Sequence, residues 1–234
     1  MADPGSRIAR FSVAERLLHW LLAVTFFVLL ISGLMLSVPA LEGTVTRPTA
    51  KAWHIDAAIA LAVGLAVILV VRGRGLARTA SELERFDADD RRWLAQVPRR
   101  ITVGATPPPQ GRFNAGQKLN TAVVAGLMVV SYITGFLLWY GERNTYYRFT
   151  GTITVHDDVM YLLVILVVGH LYMALINPYT RAALSGIVGG SVDRTWARRH
   201  HAKWVAEDER AAGIDSGVDH TRGAEPAPPE STPV

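Results

Sequence analysis

Four long apolar runs, separated by polar or arginine-rich stretches, limit what this chain can fold into more than any other feature. A helix needs about 20 apolar residues to cross the hydrocarbon core of a bilayer. Four segments reach that length, at about 17–38, 53–71, 119–140 and 153–176. Within hydrocarbon each backbone N–H and C=O must be satisfied inside the segment, so each run is expected to be a helix. The expected fold class is an all-α membrane protein, a four-transmembrane-helix bundle. The first run is not expected to be a cleavable signal peptide: it is too long, carries His19, and ends in Ser37-Val-Pro39 without a convincing small-residue cleavage site. No repeat of solenoid period is visible.

Half of the residues are hydrophobic and the formal net charge is +4, but the charges are bunched between the apolar runs. The arginines flank those runs instead of interleaving with aromatic residues, which favours a membrane over nucleic acid as the partner. There are no cysteines, so disulfides, thiolate zinc sites and iron–sulfur clusters are excluded within this chain. Orientation follows from the basic residues. Arg7, Arg10 and Arg16 precede the first run; Arg72, Arg74, Arg78, Arg99, Arg100, Arg112 and Lys118 lie between the second and third; Arg181, Arg194, Arg198, Arg199 and Lys203 follow the fourth. The other two loops hold only Arg47, Lys51, Arg143 and Arg148. Both termini and the middle loop are therefore expected to be cytoplasmic. Within the middle loop, about 73–111, one surface helix is expected from Glu82 to Val97, ended by Pro98, with Ile101-Thr-Val103 and Pro107-Pro-Pro109 extended. The bundle is expected to occupy residues 1–206. The polar stretch 207–234, rich in Pro, Gly, Ser and Glu, is expected to be a disordered tail.

Four of the seven histidines, His19, His54, His156 and His170, lie in or at the edge of these runs. An ionisable side chain inside a membrane is costly and points to function. A hydrogen bond to a neighbouring helix would explain one such residue. Depth argues for more when there are four. With the termini inside, His19 and His170 fall near the cytoplasmic face, and His54 and His156 near the outer face. His156 and His170 are fourteen residues apart, about 21 Å at 1.5 Å per residue, and at about 100° per residue they face nearly the same way. Zinc or copper would need ligands gathered around one point. A haem needs two imidazoles on opposite sides of a plane, supplied by facing helices of a bundle. The pattern therefore points to a dihaem core, with His19/His170 and His54/His156 as the ligand pairs. A transporter using the histidines as a proton relay is the alternative from another class.

Gly33 is fourteen residues after His19 and sits at the depth of the outer pair, where a glycine lets a macrocycle approach the backbone; Gly64, Gly135 and Gly169 could do the same, or serve ordinary small-residue helix packing. Arg16 and Lys51, one turn before His19 and His54, are candidate partners for haem propionates, or plain headgroup contacts. His200 and His201, with Trp196 and Trp204, suggest a basic segment on the cytoplasmic membrane surface. Asn114 and Gln117 enter the third run at the depth of the inner pair. They suit a quinone carbonyl, with Lys118 or a water as proton source, and they equally fit a capping box. The two roles are compatible.

These residues resemble a known family over about residues 8 to 207. The resemblance rests on Glu15-Arg-Leu-Leu-His-Trp20, Lys51-Ala-Trp-His54, Phe113-Asn-Ala-Gly-Gln-Lys118, Val155-His156, Gly169-His-Leu-Tyr-Met-Ala174 and Val192-Asp-Arg-Thr-Trp-Ala-Arg-Arg-His-His-Ala-Lys-Trp204. The chain looks like the gamma, or cytochrome b, subunit of respiratory membrane-bound formate dehydrogenase. That resemblance implies two haem b groups, the outer taking electrons from an iron–sulfur subunit and the inner passing them to a quinone (menaquinone or ubiquinone). It implies a site for that quinone beside Asn114, Gly116, Gln117 and His170. It also implies a molybdenum- or tungsten-containing catalytic subunit, since nothing in this chain could oxidise formate, and placement in a bacterial inner membrane, where a higher oligomer can form. The long arginine-rich middle loop departs from the family pattern. The residues alone leave other partners open: a hydrogenase, a thiosulfate or polysulfide reductase, or none, as in a stand-alone quinol-oxidising cytochrome.

Overall fold

The computed structural model describes residues 7–41, 43–99 and 107–213. Four helices carry the apolar runs: α1 (Val13–Ser37), α2 (Arg47–Glu84), α4 (Ala115–Gly141) and α5 (Thr152–Leu171), the last continued by a π-helical turn over Tyr172–Ile176. In each, the most apolar stretch is at most 11% buried. The large side chains point outward, Val70, Ile165 and Val168 among them, as lipid-facing helices require.

The helices start earlier or run further than hydropathy alone suggests, because capping and charge pairing set their ends. α1 begins at Val13, where the Ser12 hydroxyl accepts from the Glu15 N–H and the Glu15 carboxylate accepts from the Ser12 N–H. α2 does not stop near Val71. It runs on to Glu84, through Gly73 and Gly75, helped by the Arg78–Glu82 pair at i,i+4. The expected surface helix from Glu82 to Val97 is consequently divided: α2 ends at Glu84, and Asp87 caps a separate α3 (Ala88–Ala95) by accepting from the Asp89 and Asp90 N–H groups. Ile101-Thr-Val103 lies outside the described residues.

The bundle is two hairpins, α1 packed on α2 and α4 on α5. Small residues allow close approach, as is usual between membrane helices; a Cβ on Gly64 would come within 2.8 Å of Leu21. The hairpins are joined by the Tyr132 hydroxyl donating to the Ala58 carbonyl at 3.0 Å, and by the Lys51–Glu142 ion pair at one end.

The other end carries both ends of the described chain and a cap that hydropathy does not reveal. β1 (Arg7–Ala9) pairs antiparallel with β2 (Ser191–Asp193), Ile8 opposite Val192. Gly190, at φ +88°, ends α6 (Leu184–Gly189), and its carbonyl receives the N–H groups of Arg10 and Phe11. α7 (Arg194–His200) and α8 (Ala202–Ala211) follow. Ile8, Val192, Ala197, Trp204 and Val205 form a small apolar core, with Trp196 packed against it. The helix reaches Ala211 rather than dissolving at Glu207, because Asp208 and Glu209 pair with Arg194 and Arg198. Residues 214–234 lie outside the described part.

His201 is the pillar of this cap. Within the expected basic surface segment Arg198 and Arg199 stay exposed, but His201 is folded inward: it is 1% exposed, its Nδ1 2.7 Å from the Gly111 carbonyl and its Nε2 3.1 Å from the Arg10 guanidinium. Burial, then the neighbouring guanidinium, push the imidazole down to about 3. Burial, then Arg112, bring Arg10 down to about 10. Arg10 keeps its charge against the faces of Phe11, Trp196 and Trp204. Arg112 ties the cap to the bundle, reaching Glu15 at 2.8 Å, Glu82 at 2.7 Å and Thr79 at 2.8 Å.

Candidate functional site

The bundle brings the four histidines together as two pairs. His19 of α1 faces His170 of α5, with ring centres 6.2 Å apart; His54 of α2 faces His156 of α5, also at 6.2 Å. The first pair lies toward the capped end and the second toward the opposite end. α5 is thus a wall of both sites, and the π turn begins two residues after His170. Such turns are frequent at functional sites.

The chemistry of each pair can be tested against a metal. Two imidazoles bound on opposite sides of one metal, at about 2 Å per bond, have ring centres roughly 6 Å apart. Both separations fit. Among the described residues there is no group of three or more His, Cys, Asp or Glu side chains that could hold an ion. Each pair offers one imidazole from each side, which is what an iron already held by a macrocycle requires.

One pair is further organised by hydroxyls. Ser32 Oγ lies 2.7 Å from the Val28 carbonyl, a contact in which only the hydroxyl can donate. It therefore accepts from His54 Nδ1–H at 3.0 Å. Thr134 repeats this, donating to the Val130 carbonyl at 2.8 Å and accepting from His156 Nδ1–H at 2.8 Å. Both rings are fixed as the Nδ1–H tautomer, leaving the Nε2 lone pair for a metal. A Cβ on Gly33 would stand 3.4 Å from His54, and one on Gly135 would stand 3.2 Å from His156. These glycines make room for the imidazoles themselves.

The remaining expected residues are placed as follows. The Arg16 guanidinium donates to the carbonyls of Ile187 (3.2 Å) and Val188 at the end of α6. Lys51 pairs with Glu142. Asn114 and Gln117 form the capping box of α4, each amide oxygen accepting from the other's backbone N–H at 2.9 and 3.0 Å. That leaves their NH2 groups as the donors available to a ligand. A Cβ on Gly116 would come within 2.9 Å of the Trp93 ring, so α3 lies directly on this box. Lys118 is held by Asp90 (2.7 Å) and the Arg85 carbonyl (2.8 Å). Sequence reasoning missed Ser32, Thr134, Trp93 and Gln110. Gln110, 2% exposed, caps Ala115 through its side-chain oxygen and takes the Lys203 N–H on its carbonyl.

A sequence model of the prokaryotic cytochrome b561 family matches residues 10–190, across all four spans and all four histidines. The chain belongs to that family. It is an integral membrane protein of a b-type cytochrome family, which implies haem b. Three similar proteins extend the comparison. The nitrate-inducible formate dehydrogenase cytochrome b556(Fdn) subunit of Escherichia coli is 24% identical over 218 residues, 87% of this chain and 93% of that one. The formate dehydrogenase cytochrome b556(fdo) subunit of the same organism is 23% identical over 207 residues, covering 86% and 92%. The formate dehydrogenase cytochrome b556 subunit of Haemophilus influenzae is 25% identical over 211 residues, covering 87% and 84%. This cytochrome is thus homologous to the cytochrome b subunits of formate dehydrogenase complexes.

Proposed function

We propose that this cytochrome is the dihaem membrane subunit of a formate dehydrogenase-type respiratory complex. In this reading it carries electrons from an iron–sulfur subunit at the periplasmic end of the bundle to a quinone, menaquinone or ubiquinone, at the cytoplasmic end. A molybdenum- or tungsten-containing subunit of the same complex oxidises formate. The observation that carries the reading is the two facing imidazole pairs, stacked along one membrane bundle. Arginine-rich segments at the capped end support placing that end in the cytoplasm.

His19 and His170 would hold one haem b, and His54 and His156 the other. When bound, haem b supplies a one-electron carrier at each level. The chain's own work is to hold the His54 and His156 imidazoles in the tautomer that leaves Nε2 free and to surround both pairs with apolar helices that exclude water. The Asn114 and Gln117 amides then offer donors to a quinone carbonyl near His170. With Lys118 paired to Asp90, the proton for quinone reduction comes through water at the capped end. The Arg16 guanidinium, already donating to two carbonyls, would have to share itself with a propionate.

The test is purification of the complex, followed by His54→Ala. About half of the haem should be lost, along with formate-dependent quinone reduction, while formate oxidation with a soluble acceptor persists. Purified protein without haem, or unchanged quinone reduction in His54→Ala, would sink the reading.

A further inference from the structure

The two hairpins carry the same device. In α1 and α2, Ser32-Gly33 stands opposite His54; in α4 and α5, Thr134-Gly135 stands opposite His156, and in both cases 22 residues separate hydroxyl and imidazole. The His19/His170 pair lacks it. His19 Nδ1 is buried with no hydrogen-bond partner, and no hydroxyl meets the His170 ring among the described residues. The asymmetry lies in the nitrogen that does not ligate, and that nitrogen controls how strongly its ring donates to a metal.

We propose that Ser32 and Thr134 are positioning residues that make His54 and His156 the stronger donors, so that the haem they hold has a lower reduction potential than the one held by His19 and His170. This rests on the dihaem reading above. An imidazole whose free N–H is hydrogen-bonded to an acceptor is the more basic ligand. The more basic pair favours ferric over ferrous iron and lowers the potential. The low-potential site then sits at the end away from the cap, and electrons run downhill toward the capped end, where the Asn114–Gln117 box stands. Hydroxyls bonded to their own helix are common in membranes, and Thr25 shows the ordinary case: its hydrogen bonds go to the Leu21 and Leu22 carbonyls and not to a histidine.

The experiment is a potentiometric titration of the purified complex, with the ferric haems followed by electron paramagnetic resonance. Variants are Ser32→Ala, Thr134→Val and the pair together, with Ser32→Thr and Thr134→Ser as conservative replacements and Thr25→Val as control. Each lost hydroxyl is expected to weaken ferric relative to ferrous binding about tenfold, an upward shift of about 59 mV for one electron. Only the component that disappears in His54→Ala should move. The conservative variants and Thr25→Val should leave both potentials in place. If haem occupancy falls in the Ala or Val variants, Ser32→Cys and Thr134→Cys are read instead: their weaker acceptor should give a smaller upward shift. Two haems with unmoved potentials, or movement of the component lost in His170→Ala, overturn the proposal. Wild-type protein with one haem or none overturns the dihaem reading itself, so the two failures are distinguishable.

Discussion

The histidines were legible in the sequence because each one violates its surroundings, an ionisable ring in an apolar run, and because charge-derived orientation sorts them by depth. Ser32 and Thr134 were not, because a hydroxyl in a helix can satisfy itself on its own backbone and announces nothing. The signal was present only as a coincidence of spacing, a Ser-Gly and a Thr-Gly, each hydroxyl 22 residues before a histidine. Gly64 is another site whose role needs coordinates. Gly64→Ala puts a methyl into Leu21 and should cost about 1 kcal/mol in thermal or denaturant unfolding. Gly126→Ala, with nothing within 4 Å, is the comparison and should cost nothing or stabilise slightly. Equal losses in the two variants would contradict the packing described at Gly64.

Among the elements, the four spans were readable from hydropathy, but their ends were not. α2 overran its apolar stretch despite Gly73 and Gly75, with the Arg78–Glu82 pair supporting its last turns, and α3 split off because Asp87 captures two backbone N–H groups. An amphipathic pattern does not display such a break. α3 is secured through a buried ion pair, with the Asp90 and Lys118 side chains 3% and 10% exposed. Lys118→Met leaves that carboxylate unpaired, and a broken buried pair costs about 3–5 kcal/mol. The expected readout is faster hydrogen exchange and new proteolytic cleavage across residues 85–99, with the haem content intact. Loss of haem without any loosening of this segment would mean that Lys118 serves the metal site instead.

For the whole molecule, the cap is the least legible part. β1 and β2 are three residues each and join residues 7–9 to 191–193, and no local pattern forecasts that closure. The cap should nonetheless show itself through pH. His201 is held neutral in the fold at about 3, whereas an unfolded histidine titrates near 6.5. Its contribution is therefore complete above about 6.5 and is lost as pH falls from there toward 3, where the unfolded form binds the extra proton. Protease resistance of the cap should fall over that window, and less steeply in His201→Gln; identical profiles would remove His201 as the cause. The most direct test of the two-site reading is the pyridine haemochrome count of the purified chain, set beside His19→Ala and His54→Ala. Two haem b groups per chain, falling to one in each variant, is the expected result. A wild-type value of one or none would contradict it.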